Sequence, residues 1–244
     1  MNARLESTQP AASAVDAEQS IGQIAVQLPG ATAIFRRLKL DFCCGGHISL
    51  RQATADKNLD LKEVLAELSA LQRPAVPTGV TEPAALIDHI LTRYHDVHRE
   101  QLPELIRMAR RVESVHRDHP QVPAGLADTL EGMEQELLLH MEKEEQILFP
   151  MLQSGGNPFV KNPISMMRSE HVGHGAELDK LLTLTHDATP PQGACNTWRA
   201  LYAGIAQLND DLVNHIHLEN NVLFPQFEAP VKTQGCGSSG CGCS

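Results

Sequence analysis

His140-Met141-Glu142-Lys143-Glu144-Glu145-Gln146-Ile147-Leu148-Phe149-Pro150 and His215-Ile216-His217-Leu218-Glu219-Asn220-Asn221-Val222-Leu223-Phe224-Pro225 are two spellings of one phrase, His-x3-Glu-x3-Leu-Phe-Pro, set 75 residues apart (140 to 215). A second phrase repeats beside it: His95-x2-His98 and His171-x2-His174, 76 residues apart (95 to 171). Each phrase sits inside apolar helical periodicity. Ile87, Leu91, His95, His98 and Leu102 share one stripe, and Leu137, His140, Met141, Glu144 and Leu148 another. Met167, His171, His174, Leu178 and Leu182 form a third, and Leu208, Leu212, His215, Ile216, Glu219 and Leu223 a fourth. The spacing predicts four long helices over about 82–117, 124–149, 163–187 and 194–224, joined as two equivalent hairpins. Thr81 is the expected N-cap of the first, with Pro83 in its first turn. Asn162 caps the third, with Pro163 at its first helical position. The Leu-Phe-Pro phrases read as helix stops, because proline has no N–H to continue the ladder.

All four stripes face the core, and every one carries histidine. A single histidine on an apolar face is usually a satisfied core residue. Two inward glutamates are harder to accommodate, since an unpaired buried carboxylate costs many kcal/mol unless a cation neutralises it. No Lys or Arg lies on these stripes. Four imidazoles and two carboxylates at equivalent positions of two hairpins therefore point to a metal site. That donor set suits iron or manganese better than calcium, magnesium or thiolate-bound zinc. Glu144 and Glu219 come from opposite hairpins, so each is placed to bridge two ions, as carboxylates do inside helix bundles.

Outside the repeat the chain is less explicit. A net charge of −10 with mixed signs and no basic stripe argues against a nucleic-acid partner. No stretch approaches the ~18 apolar residues of a membrane span, and the polar N-terminus lacks the apolar segment of a signal peptide. Cys43 and Cys44 are adjacent, Cys195 is isolated, and Cys236, Cys241 and Cys243 crowd the end. That is no disulfide framework, so reduced thiols in the cytoplasm are expected. The expected organisation is a disordered leader (1–17), a small domain of two or three short helices around Cys43-Cys44 (18–72), a Pro-rich linker (73–80), the bundle (81–228) and a flexible Cys/Gly/Ser tail (229–244). The fold class is all-α, an antiparallel four-helix bundle behind a small helical domain. Cys43 and Cys44 are either a functional thiol pair or two small buried residues in a turn set by Gly45-Gly46. Glu170 is either a carboxylate serving the metal site or a solvated charge. Asp211, one turn before His215, is placed to orient that imidazole. Cys195 reads as structural. The tail thiols either bind a soft metal or are dispensable.

Taken together, Tyr94-His95, His140-x3-Glu144-Glu145-Gln146-Ile147-Leu148-Phe149-Pro150, Glu170-His171, His215-x3-Glu219-Asn220-Asn221-Val222-Leu223-Phe224-Pro225 and the upstream Asp41-Phe42-Cys43-Cys44-Gly45-Gly46 resemble the RIC (repair of iron centres) proteins. This iron–sulfur cluster repair or ScdA/YtfE family includes the NorA proteins of denitrifying bacteria. The resemblance spans roughly residues 18–228 and leaves the Cys-rich tail outside. It implies a hemerythrin-like bundle holding two non-haem irons, oxo-bridged, through His95, His140, His171 and His215 with Glu144 and Glu219 bridging. It places His98 beside rather than on the metals and supplies no ligand role for His174. It implies a functional Cys43-Cys44 pair, damaged iron–sulfur proteins as partners and nitric oxide as a small ligand, and it allows a homodimer. Cluster repair by iron donation, nitric oxide reduction and gas sensing all remain compatible with one open di-iron site, although a plain gas carrier has no need of the thiol pair.

Overall fold

The computed structural model describes residues 15–28, 30–71, 82–156 and 159–228. The expected leader up to residue 14, the linker 73–80, Thr81 and the tail with Cys236, Cys241 and Cys243 lie outside the described residues.

Four short helices, not two or three, build the N-terminal part: α1 (Ile21–Gln27), α2 (Ala31–Arg37), α3 (Leu50–Asp56) and α4 (Leu61–Ala70). Three of them start on side-chain caps that satisfy otherwise orphaned N–H groups. Ser20 accepts from Gln23, Ser49 from Gln52 and Asp60 from Lys62. Their inward faces bury Ile21, Ile24, Phe35, Leu50 and Leu68 in one cluster, joined by Phe42 from the loop between α2 and α3. Each such side chain contributes about 1.5–3 kcal/mol by leaving water.

The remaining helices are long. Helix α5 (83–115) consists of Pro83–Ile90, a π-helical turn Leu91–His95 and Asp96–Val115. Helix α6 (126–153) joins Leu126–Lys143, a π turn Glu144–Leu148 and Phe149–Gln153. Helix α7 is Lys161–Leu184. Helix α8 (196–228) joins Asn196–Leu218, a π turn Glu219–Leu223 and Pro225–Glu228. Among the described residues there is no strand, only an isolated bridge between Ser20 and Ser49, and no helix is long and apolar enough to cross a membrane.

The structure corrects two boundary expectations. Glu82, not Thr81, is the residue before α5, and Val160, not Asn162, precedes α7. More instructive, Leu-Phe-Pro is not a stop. In the π turn the Phe149 N–H reaches back five residues to the Glu144 carbonyl, and Phe224 does the same to Glu219. The turn resets the ladder, so the following proline stands in the first turn of a new segment, where its missing N–H is not needed. The chain stays helical to Gln153 and Glu228.

Along every bundle helix the apolar core is interrupted at the same level. One cluster, with Leu102, Leu130, Leu137, Trp198 and Leu208, fills the end near the 116–125 connection. Another, with Ile87, Leu148, Phe149, Ile164, Leu223 and Phe224, fills the opposite end. Between them lies a polar layer of buried histidines with Glu144 and Glu219.

The small helices dock onto α8. Arg36 pairs with Asp210 and donates to Asn214, and the Phe42 ring meets His217 edge-on at 5.2 Å. The amide of Asn221 donates to the carbonyls of Phe42 and Cys43. The approach is close enough to require glycine. A Cβ on Gly46 would sit 2.4 Å from the Phe42 carbonyl oxygen and 3.1 Å from Asn221 Oδ1. Gly46→Ala is therefore expected to destabilise the protein by about 1–3 kcal/mol, read as a lowered Tm. Gly132→Ala, on α6 where an added Cβ meets nothing within 4 Å, should instead stabilise by up to about 1 kcal/mol through helix propensity.

Candidate metal centre

Three of the six predicted donors sit at π turns. His95 ends the first, Glu144 opens the second and Glu219 opens the third. An extra residue in the turn rotates the next stretch of helix about its axis, and such bulges gather at functional sites. His140 and His215 project from the preceding helical turn of α6 and α8, and His171 from the middle of α7.

The six side chains form two four-donor groups, His95/Glu144/His215/Glu219 and His140/Glu144/His171/Glu219, each with its donor atoms within 4.8 Å of one another and all buried. The Nε2 atoms of His95 and His215 lie 3.1 Å apart, as do those of His140 and His171. Each glutamate divides its two oxygens between the pairs. Glu144 Oε2 is 3.5 Å from His95 Nε2 and Oε1 is 3.4 Å from His140 Nε2. Glu219 Oε1 is 3.1 Å from His215 Nε2 and Oε2 is 3.0 Å from His171 Nε2.

Both Glu144 oxygens and Glu219 Oε2 nevertheless lack a hydrogen-bond partner. The imidazoles are near enough for an ion pair but not aligned to donate. Carboxylates left this way in an apolar core are very costly, and a shared cation at each pair removes the cost. The donor set thus fits two cations bridged by two carboxylates, each cation with two imidazole nitrogens.

Protons on the facing imidazoles offset part of the carboxylate charge. Burial disfavours charge on Glu144 and Glu219, yet His140 and His95 beside the first, and His215 and His171 beside the second, hold both carboxyls below the usual range. Burial alone would lower His140, but Glu144 outweighs it and pushes the ring up to about 9; His95 is raised for the same reason.

Behind the donors stands a second ring of contacts that fixes which nitrogen faces inward. His95 Nδ1 donates to Glu145 Oε1 at 2.7 Å, a carboxylate also held by Arg99 at 2.7 Å. His140 Nδ1 donates to Glu170 Oε2 at 2.9 Å, with Lys143 on the other oxygen. His171 Nδ1 donates to Asn220 Oδ1 at 2.9 Å. Glu170 is therefore tied to the centre rather than simply solvated. Glu145 and Asn220 received no role from the sequence, although the signal was present: each follows one of the two buried glutamates, and they share the 75-residue offset (145 to 220). Asp211 is a correction. It pairs with Arg93 at 2.5 Å and accepts from Gln207, while His215 Nδ1 has no hydrogen-bond partner. The Tyr94 ring stacks on His215 at 5.4 Å instead.

His98 and His174 lie one turn from the donors, 0% and 3% exposed, with no partner on either ring nitrogen. Their rings pack 5.5 Å from His215 and 4.9 Å from His140. Burial pushes them down to about 2 and about 3, so both are neutral. Neither belongs to a four-donor group.

The Cys43-Cys44 loop lies against the centre. Cys44 Sγ reaches the His171 carbonyl oxygen at 3.5 Å. Asn220 spans the junction: its Oδ1 takes the His171 Nδ1–H and its Nδ2 donates to the Cys43 carbonyl at 3.1 Å. Cys195 is distant from this region and rests against His116 Nε2 at 3.3 Å.

A helical bundle whose inward histidines and glutamates share cations defines the hemerythrin class of metal-binding domain. Residues 86–227 match the family described as hemerythrin HHE cation binding domain, and residues 17–72 match ScdA_N, a domain of unknown function. Among curated relatives, the iron-sulfur cluster repair protein YtfE of Yersinia pseudotuberculosis serotype O:1b (strain IP 31758) is 50% identical over 219 residues, covering 85% of this chain and 96% of the relative. The proteins of the same name from Citrobacter koseri and Dickeya chrysanthemi are each 50% identical, covering 86% of this chain and 96% of the relative. The chain belongs to the hemerythrin HHE family and, within it, to the ScdA/YtfE group.

Glu144→Ala or Glu219→Ala should strip more metal from the purified protein than His98→Ala, because each glutamate faces both histidine pairs and His98 faces neither as a donor. Equal losses by elemental analysis would refute this ligand assignment. Loading the metal-free protein at pH 7 should release protons, since ligation requires the neutral imidazole of His140, which is pushed up to about 9. Apparent affinity should rise with pH and level off above about 9, where His140 has already lost its proton. A weakly buffered indicator titration measures the release.

Proposed function

We propose that this protein repairs iron–sulfur clusters damaged by nitrosative or oxidative stress, with iron as the donated cargo. His95, His140, His171 and His215, with Glu144 and Glu219 bridging, would hold two non-haem irons. Oxo-bridged iron there would supply an open coordination site for a small ligand such as nitric oxide. The relatives named as cluster repair proteins support the reading across most of the chain.

The observation that carries it is the junction between loop and centre. A thiol touches the backbone of one metal-facing histidine, and one asparagine joins that histidine's ring to the loop. A plain gas carrier built on the same bundle has no need of that junction. Thiolates are natural intermediate holders of iron leaving a carboxylate-bridged pair. Residues 18–72 and 81–228 act in this reading as a thiol-bearing unit and a metal-holding unit, in a cytoplasmic setting where thiols stay reduced.

Cys43→Ser/Cys44→Ser should keep the two irons of the bundle centre, because neither sulfur belongs to the four-donor groups. It should restore a nitric-oxide-damaged cluster enzyme no better than an iron-free Glu144→Ala control. Recovery of the cluster enzyme's activity is the measurement, and wild-type repair by the double variant would move the function to the bundle alone.

A further inference from the structure

The loop that meets the centre carries its own donor set. Asp41, Cys43 and Cys44 bring a carboxylate oxygen and two sulfurs within 4.8 Å of one another. The sulfurs are 3.7 Å apart, and Cys43 Sγ is 3.3 Å from Asp41 Oδ1. A tetrahedral divalent ion with metal–sulfur bonds of about 2.3 Å and a metal–oxygen bond of about 2.0 Å needs a sulfur–sulfur edge of about 3.8 Å and a sulfur–oxygen edge of about 3.5 Å. The Cys43–Cys44 and Cys43–Asp41 edges match to within a few tenths of an ångström, and the Cys44–Asp41 edge lies within 4.8 Å.

The geometry is held from several sides. Asp41 Oδ1 accepts the Cys44 N–H at 2.9 Å. Asn220 and Asn221 hold the Cys43 carbonyl from α8. A Cβ on Gly45 would lie 3.0 Å from Asp41 Oδ2, so glycine there leaves the second carboxylate oxygen unobstructed. The three donors line an open groove of about 960 Å³ between the small helices and the bundle. Asp41 is exposed, Cys44 half-buried and Cys43 buried. An ion here would have protein on one side and the groove on the other.

We propose that Asp41, Cys43 and Cys44 form a separate metal site, a three-ligand cradle for a thiophilic divalent ion such as iron(II), with its fourth position open to the groove. Its use as a staging post for cargo iron rests on the repair reading; the site itself rests on the loop. Two sulfurs select against calcium and magnesium. The hydrogen bond to Cys44 and burial raise the Cys43 thiol well above its ordinary value. Binding therefore displaces the Cys43 thiol proton to the buffer and tightens as pH rises.

Cobalt(II) is the probe, added without oxygen to the full chain with its bundle centre already loaded and Cys236, Cys241 and Cys243 replaced by serine. One further equivalent should bind and produce a near-ultraviolet thiolate-to-cobalt charge-transfer band. Cys43→Ser/Cys44→Ser should abolish the band with unchanged helical circular dichroism, which also controls for Cys195. Asp41→Asn keeps an oxygen to accept the Cys44 N–H. Loss of an outer-shell partner alone weakens metal sites about 10–100-fold, so losing this direct ligand should weaken binding at least about tenfold. Absence of the band, or a band of undiminished affinity in Asp41→Asn, overturns the three-ligand site. Cluster reactivation is scored separately: a protein that binds cobalt at the loop but repairs nothing keeps the site and loses the repair reading.

Discussion

Two ionised carboxylates in the middle of an apolar bundle are the constraint on which the rest of this structure depends. Glu144 and Glu219 are fully buried and, among the described residues, have no arginine or lysine against them. Their charge is tolerable only if cations, or protons on the facing imidazoles, stand opposite. That requirement accounts for four histidines at one level, for Nδ1 contacts that keep Nε2 inward, and for the apolar clusters above and below that exclude water. It also accounts for the bulged helices. Glu144 keeps regular helical spacing from His140; the π turn that follows lets Phe149, and its counterpart Phe224, return to the core.

The two hairpins are equivalent in their donors and unequal in what backs them. The repeat maps Glu145 onto Asn220 (offset 75) and Tyr94 onto Glu170 (offset 76). His95 and His140 therefore donate to carboxylates, whereas His171 donates to an amide and His215 has only a stacked ring. A carboxylate partner makes an imidazole the more basic ligand. The better-backed pair faces Glu144, and the more weakly backed pair faces Glu219. Glu219 is on the α8 segment that also carries the loop contacts of Asn220 and Asn221. The less basic imidazoles lie on the side where the thiols approach.

The legibility of the bundle came from its repeat. Paired His-x3-Glu phrases on apolar stripes leave one economical packing, because helical period 3.6 places each donor on its inward face. The helix class, the bundle and the candidate donors are all readable that way, and the choice of His95 over His98 came from family resemblance. The Leu-Phe-Pro phrase misled because proline's exclusion from helices is a rule about the ladder, and a π turn changes the ladder. Asp211 misled because one-turn spacing says only that two side chains share a face. Arg93, 118 positions away in sequence, claimed that carboxylate instead.

By itself, the sequence determined an all-helical chain with two glutamates and their histidines turned inward, since periodicity and the cost of buried charge are local and additive facts. Tertiary structure alone decided how each carboxylate divides its oxygens, which residues back each imidazole, and that the Cys43-Cys44 loop comes to rest on His171. Those outcomes depend on contacts between segments far apart in the chain: Glu145 across the bundle to His95, Glu170 to His140, and Asn220 between ring and loop. Side-chain distances of about 3 Å across helices are set by how the bundle packs, and one-dimensional spacing carries no record of that packing.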